Sequence, residues 1–156
     1  MRRKDRQVTD PEKIDSIIAQ CHCCRLGFSD GEQVYVVPLS FGYENTGEKR
    51  IFYFHGATEG RKLELVKRGK PVGLELDCAY RLREGETACG FTARFQSVIA
   101  TGIPRLLEIP QEKIHGLQQI MGHYSGKKDW DFPPAVLEKT CVFQVEVTEL
   151  SCKEHQ

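Results

Sequence analysis

The chain has 156 residues, with 22 Lys and Arg balanced by 22 Asp and Glu, so its formal net charge is zero. That balance argues against a general nucleic-acid binder and against a polybasic membrane-surface protein, both of which carry an excess of positive charge. With 40% hydrophobic and 28% charged residues, the composition is globular and the length suits one domain over residues 1–156 with a core of its own. The longest apolar stretches run to about half a dozen residues, too few for a transmembrane helix. Met1–Arg6 has a charged front with no apolar segment behind it, so no secretory signal is expected. Seven cysteines, an odd count in a chain that needs no staples, predict free thiols and a cytoplasmic location.

In chain order, the first element is a helix. Asp10 can cap it, Pro11 suits its first position, and Ile14, Ile17, Ile18 and Cys21 fall on one stripe ending near Gln20 to Cys21. Arg25–Phe28 reads as a strand entering a turn at Ser29–Glu32. Gln33–Tyr43 reads as one long strand in which Pro38 marks an edge or a bulge, because proline cannot donate to a ladder. A turn at Glu44–Glu48 leads into a strand over Arg50–His55, and a second helix is expected over Glu59–Arg68 with Gly69 as its stop. Pro71–Tyr80 alternates as a strand, Arg81–Ala88 reads as a polar loop, and Phe91–Glu108 is one bent strand or two. A third helix is expected over Pro110–Tyr124, then a loop to Pro134 carrying the single Trp, then a last strand over Thr140–Leu150. Hairpin-connected strands with irregularly spaced helices fit an antiparallel sheet or barrel better than repeated βαβ units.

The strongest chemical signal is His55-Gly56-Ala57-Thr58-Glu59-Gly60-Arg61-Lys62. A strand ends, two glycines loosen the turn, and a helix starts with two cations that oppose its dipole. A bound phosphate would account for them; a solvated basic helix face is the other reading. His55 shares a strand face with Tyr53 and Ile51 and reads as structural on spacing alone. Cys21-His22-Cys23-Cys24 contains one C-x-x-C without a second pair to complete a zinc site. It follows a helix C-terminus, where the dipole disfavours a reactive thiolate, so buried thiols are expected. His115 and His123 lie eight residues apart on the third helix and could share a face, but nothing acidic completes a metal site, so surface or core histidines are expected. Ser40 and Ser97 have no neighbouring base, so no serine nucleophile is supported. Trp130 caps the barrel or stacks on a flat ligand.

Met1-Arg2-Arg3-Lys4, Tyr35-Val36-Val37-Pro38-Leu39-Ser40-Phe41-Gly42-Tyr43, Phe52-Tyr53-Phe54-His55-Gly56-Ala57, Gly60-Arg61-Lys62, Phe95-Gln96-Ser97-Val98 and Thr101-Gly102 occur in that order. In this the chain resembles nitroimidazole-resistance-type proteins of the pyridoxamine phosphate oxidase-like superfamily, over residues 1–153. The resemblance implies a mainly-β fold, a six-stranded Greek-key split β-barrel with about three peripheral helices. It also implies a homodimer with FMN at the subunit interface. By the same resemblance Arg61 and Lys62 hold the FMN phosphate, Pro38, Leu39, Ser40 and Phe41 lie along the flavin ring, and Gln96, Ser97 and Val98 approach the phosphate and ribityl chain. His55, Gly56, Ala57 and Gly60 complete the cofactor contacts, with His55 also the candidate catalytic group. The family often ends in Gly-Lys, whereas this chain has Cys152-Lys153. The implied activity is FMN-dependent electron transfer from a nicotinamide donor, NAD(P)H, to a small substrate, with nitroreductase-like chemistry as one form. A non-catalytic flavin- or haem-binding protein is the alternative.

Overall fold

The structure, a computed structural model, describes residues 3–156, so Met1 and Arg2 of the first motif lie outside it. A single turn of 3-10 helix over Lys4–Arg6 leads into β1 (Gln7–Val8), then α1 (Pro11–Gln20). The capping chemistry expected of α1 is present: the Asp10 carboxylate accepts from the Glu12 backbone N–H at 3.1 Å, and Ile14, Ile17 and Ile18 are buried. β2 (Cys24–Asp30) and β3 (Gln33–Leu39) form the expected hairpin, with Gly31 in the left-handed region that its tight turn requires.

Leu39 is followed by a break at Ser40 and Phe41, then β4 (Gly42–Asn45) and β5 (Arg50–Ala57). α2 (Arg61–Lys67), β6 (Val72–Arg83) and β7 (Thr92–Leu107) follow, then α3 (Pro110–Ser125), α4 (Pro134–Glu138) and β8 (Thr140–His155). All pairings are antiparallel, in the order β3-β2-β6-β7-β8-β5-β4, with β1 added along β8. The mainly-β split-barrel architecture is therefore the one the chain adopts. The sheet has eight strands, six of them seven residues or longer; β1 and β4 are the short ones.

Three expectations are corrected in detail. Gln33–Tyr43 is not one strand, because β3 and β4 lie at opposite ends of the strand order. Only Ser40 and Phe41 separate them, and three peptide links span about 11 Å at most, so the sheet must curl until its two edges almost meet. β6 runs on to Arg83 where a loop was expected, and β8 runs on to His155. Both extensions lack an alternating apolar pattern; pairing to β7 holds them.

The Ser40–Phe41 crossing is fixed from α3. The Tyr124 hydroxyl accepts from the Phe41 N–H at 3.2 Å and donates to the His22 carbonyl at 2.8 Å. His123 Nε2 lies 2.7 Å from the Cys21 carbonyl, and its ring packs 4.2 Å from that of Phe41. α3 presses its backbone onto β4 at Gly42: a Cβ there would meet Ile120 N at 2.4 Å, so only glycine fits. Phe41, Phe52, Phe54 and Phe143 fill the barrel core with Ile17, Ile18 and Leu26, while Tyr53 and Val142 face the other way into a smaller cluster under α3. Burying each such side chain contributes roughly 1.5–3 kcal/mol. β5 is thus apolar on both faces, which is why Ile51–Phe54 runs without polar interruption, and β8 is so only over Cys141–Phe143.

Candidate functional site

β4 covers β5 only from Arg50 to Tyr53, so from Phe54 to Ala57 β5 has β8 on one side and no strand on the other. β3 pairs with β2 alone, so its second edge is also open. Peptide groups along both edges are free to hydrogen-bond a ligand. Pro38 sits on the open edge of β3, where a residue without an N–H costs no ladder bond.

α2 stands across this split, anchored by buried Leu63, Leu65 and Val66. Its first two residues reach opposite walls. Arg61 donates to Asp30 at 2.9 Å and to Gln33 at 3.2 Å, with its guanidinium 4.7 Å from the Tyr35 ring centroid. Lys62 Nζ donates to the His55 carbonyl at 3.4 Å, and a Cβ on Gly56 would come within 2.7 Å of that nitrogen. Glycine at 56 therefore leaves the room that the ammonium occupies. α2 has seven residues and its N-cap, Gly60 with φ 109°, makes no side-chain cap, so the positive character of the site comes from the two side chains.

Partial burial pushes Lys62 below the usual lysine range. Loss of hydration, and then the Lys62 charge, push His55 below the ordinary imidazole value, so its ring is neutral at pH 7. The Cys141 thiol, across from Gly56 on β8, is pushed up by burial. Two adjacent cations, two open peptide edges and the small residues Gly56, Ala57 and Gly60 make a cradle suited to a flat polar molecule with an anionic tail.

The other expected contacts divide. Ser40, His55, Ala57 and Gly60 are exposed beside the split, whereas the Phe41 side chain is fully buried and its N–H is already bonded to Tyr124. Gln96 and Ser97 lie along β7 away from the Gly56–Lys62 corner within one chain, and Val98 belongs to the core cluster that α2 also joins. Gly56 pairs with Cys141 near the start of β8, and Gln96 pairs with Glu154 near its end. Gln96 donates to Glu154 at 2.8 Å and accepts from Cys78 at 3.4 Å, and Val98 is fully buried. Trp130 is exposed and donates to Ser125 at 3.1 Å, so it does not cap the barrel. Cys21 and Cys24 are buried, and burial raises both thiols, as expected of structural cysteines. No group of three or more His, Cys, Asp or Glu among the described residues is arranged to hold a metal.

Sequence reading missed a polar network under α3. His115 Nε2 lies 3.1 Å from Glu44, which also accepts from Tyr53; Gln119, buried, reaches Glu44 at 3.5 Å and accepts from Lys128 at 2.7 Å. Glu44 and His115 are far apart in sequence, so no local spacing could join them. Asp30 and Gln33, the partners of Arg61, were legible only as turn residues.

A family model described as pyridoxamine 5'-phosphate oxidase matches residues 10–154. The chain belongs to that family. A solved structure similar to this family member is a candidate 5-nitroimidazole antibiotic resistance protein from Bacteroides thetaiotaomicron, 30% identical, with a TM-score of 0.81 over 95% of this chain and 86% of that one. The flavocytochrome Anf3 from Azotobacter vinelandii is 20% identical, with a TM-score of 0.83 over 100% of this chain and 72% of that one. An FAD and haem binding protein from Mycobacterium smegmatis is 14% identical, with a TM-score of 0.84 over 97% and 74%. The last two are likenesses of fold. Among curated proteins none matches the sequence of this family member. No helix among its described residues is long and apolar enough to cross a membrane.

Proposed function

We propose that the protein binds FMN at the split between β3 and β5 and passes electrons from a nicotinamide donor to a small substrate. The observation that carries this reading is the pair Arg61 and Lys62, adjacent in sequence and touching opposite walls of the split. The flavin, when bound, supplies the two-electron chemistry.

The chain's own residues bind and orient. Lys62 is half-buried and lacks a carboxylate partner among the described residues, so an anion beside it would restore the charge that burial disfavours. Arg61 needs only to turn from Asp30 to make a charge-assisted bond to the same anion. The open edge of β3 offers peptide N–H and C=O groups to the rim of a planar ring. His55, neutral and exposed next to Lys62, has the position to hydrogen-bond a substrate over that ring.

A second copy of the chain completes the site. Gln96 and Ser97 lie at the far end of β8 from Lys62, so they contribute to a flavin contact only across an interface. Val34, Val36, Ile99 and Ile103 stand exposed on the outside of the sheet, an apolar surface suited to a symmetric partner. The family's likeness to flavocytochrome and FAD-binding structures supports a flavin in this fold, and Arg61 with Lys62 favours a terminal phosphate.

The test is the visible spectrum of the purified protein, chromatography of the released cofactor, and addition of NAD(P)H without oxygen. Released FMN that bleaches with the nicotinamide supports the enzyme. FMN that stays oxidised supports a flavin carrier instead, and released haem or FAD overturns the cofactor assignment. Changing His55→Ala is expected to slow turnover while leaving FMN bound; an unchanged rate removes His55 from the reaction.

A further inference from the structure

Far from α2, the ends of β6, β7 and β8 enclose an open cavity of about 430 Å³ lined by Arg81, Arg94, Phe95, Gln96, Glu154 and His155, among others. We propose that this cavity is a binding site for a doubly charged oxyanion of the phosphate type, held between Arg81 and Arg94.

The first ground is an unfavourable pairing. Arg81 and Arg94 are direct cross-strand partners, and like charges opposite one another destabilise a sheet. The pairing is imposed by a bulge between Cys78 and Arg81, where β6 carries one extra residue and Ala79 adopts φ +56°, a strained value for a residue with a side chain. Without the bulge, continuous register from Cys78 and Gln96 would set Tyr80 opposite Arg94. The bulge thus replaces a compatible Tyr–Arg pair by two guanidinium groups at the cavity wall.

The second ground is the distribution of arginine partners. Arg3, Arg25, Arg50, Arg61, Arg68 and Arg105 each have a carboxylate. Arg6, Arg81, Arg83 and Arg94 have none among the described residues, and they collect at this end of the sheet. The carboxylate in the cavity wall, Glu154, is already bound to Lys13 and Gln96.

Behind the cavity wall, outside its lining, a further arginine without a carboxylate orients His155. Arg6 Nη2 lies 3.1 Å from His155 Nε2, and His155 Nδ1 lies 2.6 Å from the Ala93 carbonyl. Arginine only donates, so Nε2 accepts and Nδ1–H donates. Arg6 Nε, next to this relay, is buried with no hydrogen-bond partner. The two guanidinium groups that do line the cavity, Arg81 and Arg94, are satisfied by a dianion whose oxygens accept from both forks.

The cavity shares Gln96 with the flavin contact proposed above, so flavin content is followed alongside to tell a separate anion site from part of the cofactor site. Inorganic phosphate is titrated calorimetrically at low ionic strength into the wild-type protein and into Arg81→Gln, Arg94→Gln and Arg83→Gln. Wild type and Arg83→Gln, whose side chain is outside the cavity lining, are expected to bind with the same affinity. Arg81→Gln and Arg94→Gln are each expected to bind roughly tenfold more weakly or worse, the loss of one charge-assisted contact. Without phosphate, Arg81→Gln is expected to melt at a higher temperature than wild type, because the opposed charges are gone, and to gain less than wild type when phosphate is added. Equal weakening in Arg83→Gln would reduce the effect to net charge and overturn the site. Undetectable phosphate binding by wild type would overturn it as well. Loss of flavin from Arg81→Gln or Arg94→Gln would assign the arginines to the cofactor and overturn a separate anion site.

Discussion

The two cationic ends of the barrel are built in opposite ways. At α2, Arg61 and Arg68 share Asp30, and Lys62 leans on a backbone carbonyl. At the β6–β7 end, Arg81 and Arg94 face each other with no carboxylate between them. A ligand at α2 must compete with an existing ion pair, so its site is preorganised but moderated. A ligand at the bulge relieves a repulsion, so that end gains stability when filled. Exposed ion pairs such as Arg61–Asp30 contribute little to folding, so their removal reads out mainly in binding.

The largest expected effect would break the comparison at its root, because both ends depend on the curl of the sheet. Gly42→Val places a side chain where α3 backbone already sits, and is expected to destabilise the protein by about 3 kcal/mol or more in a denaturant titration. Stability unchanged within about 0.5 kcal/mol would mean that α3 does not clamp β4. Next, Asp30→Asn frees Arg61 from its competitor and is expected to tighten FMN binding by roughly three- to tenfold in a fluorescence titration. Weaker binding would make Asp30 a positioner of Arg61 rather than its competitor. Gly56→Ala is expected to displace the Lys62 ammonium and weaken FMN binding about threefold with little change in melting temperature.

The smallest effect lies in acid. The Lys13 ammonium, with Gln156 and Gln96, holds the Glu154 carboxyl down from 4.5 to about 2. Because the folded value is the lower one, Glu154 contributes stability that is complete above the unfolded value and lost as pH falls towards about 2. Glu154→Gln is therefore expected to narrow the gap between stability at pH 6 and at pH 3, measured by urea unfolding. An identical pH dependence in the variant would show that Glu154 is not coupled to folding.

Much of the fold was legible because it is written locally. Asp10, Pro11 and the isoleucine stripe specify α1, and Gly31 and Gly69, both at positive φ, turn β2 into β3 and stop α2. The break at Ser40–Phe41 was not legible, since Gln33–Tyr43 is rich in β-branched and aromatic residues and its one irregularity, Pro38, marks the edge of β3 and not its end. It is imposed by the closing of the sheet and by His123 and Tyr124, far along the chain. The ends of β6 and β8 were missed for the same reason: Arg81, Leu82 and Arg83 are all exposed, and only pairing with β7 makes them a strand. Of the candidate site, Arg61 and Lys62 were visible from charges misplaced on a helix start. Their opposite reach, the Asp30 competitor and the distance to Gln96 all depend on strand order, which residue spacing does not encode.

The account turns on Arg61 and Lys62 as the phosphate clamp, and the most direct test is an FMN titration of the flavin-free protein and of the Arg61→Ala/Lys62→Ala variant. The variant is expected to bind FMN at least a hundredfold more weakly while riboflavin, which lacks the phosphate, binds both proteins alike. FMN affinity equal in the two proteins would contradict the central claim.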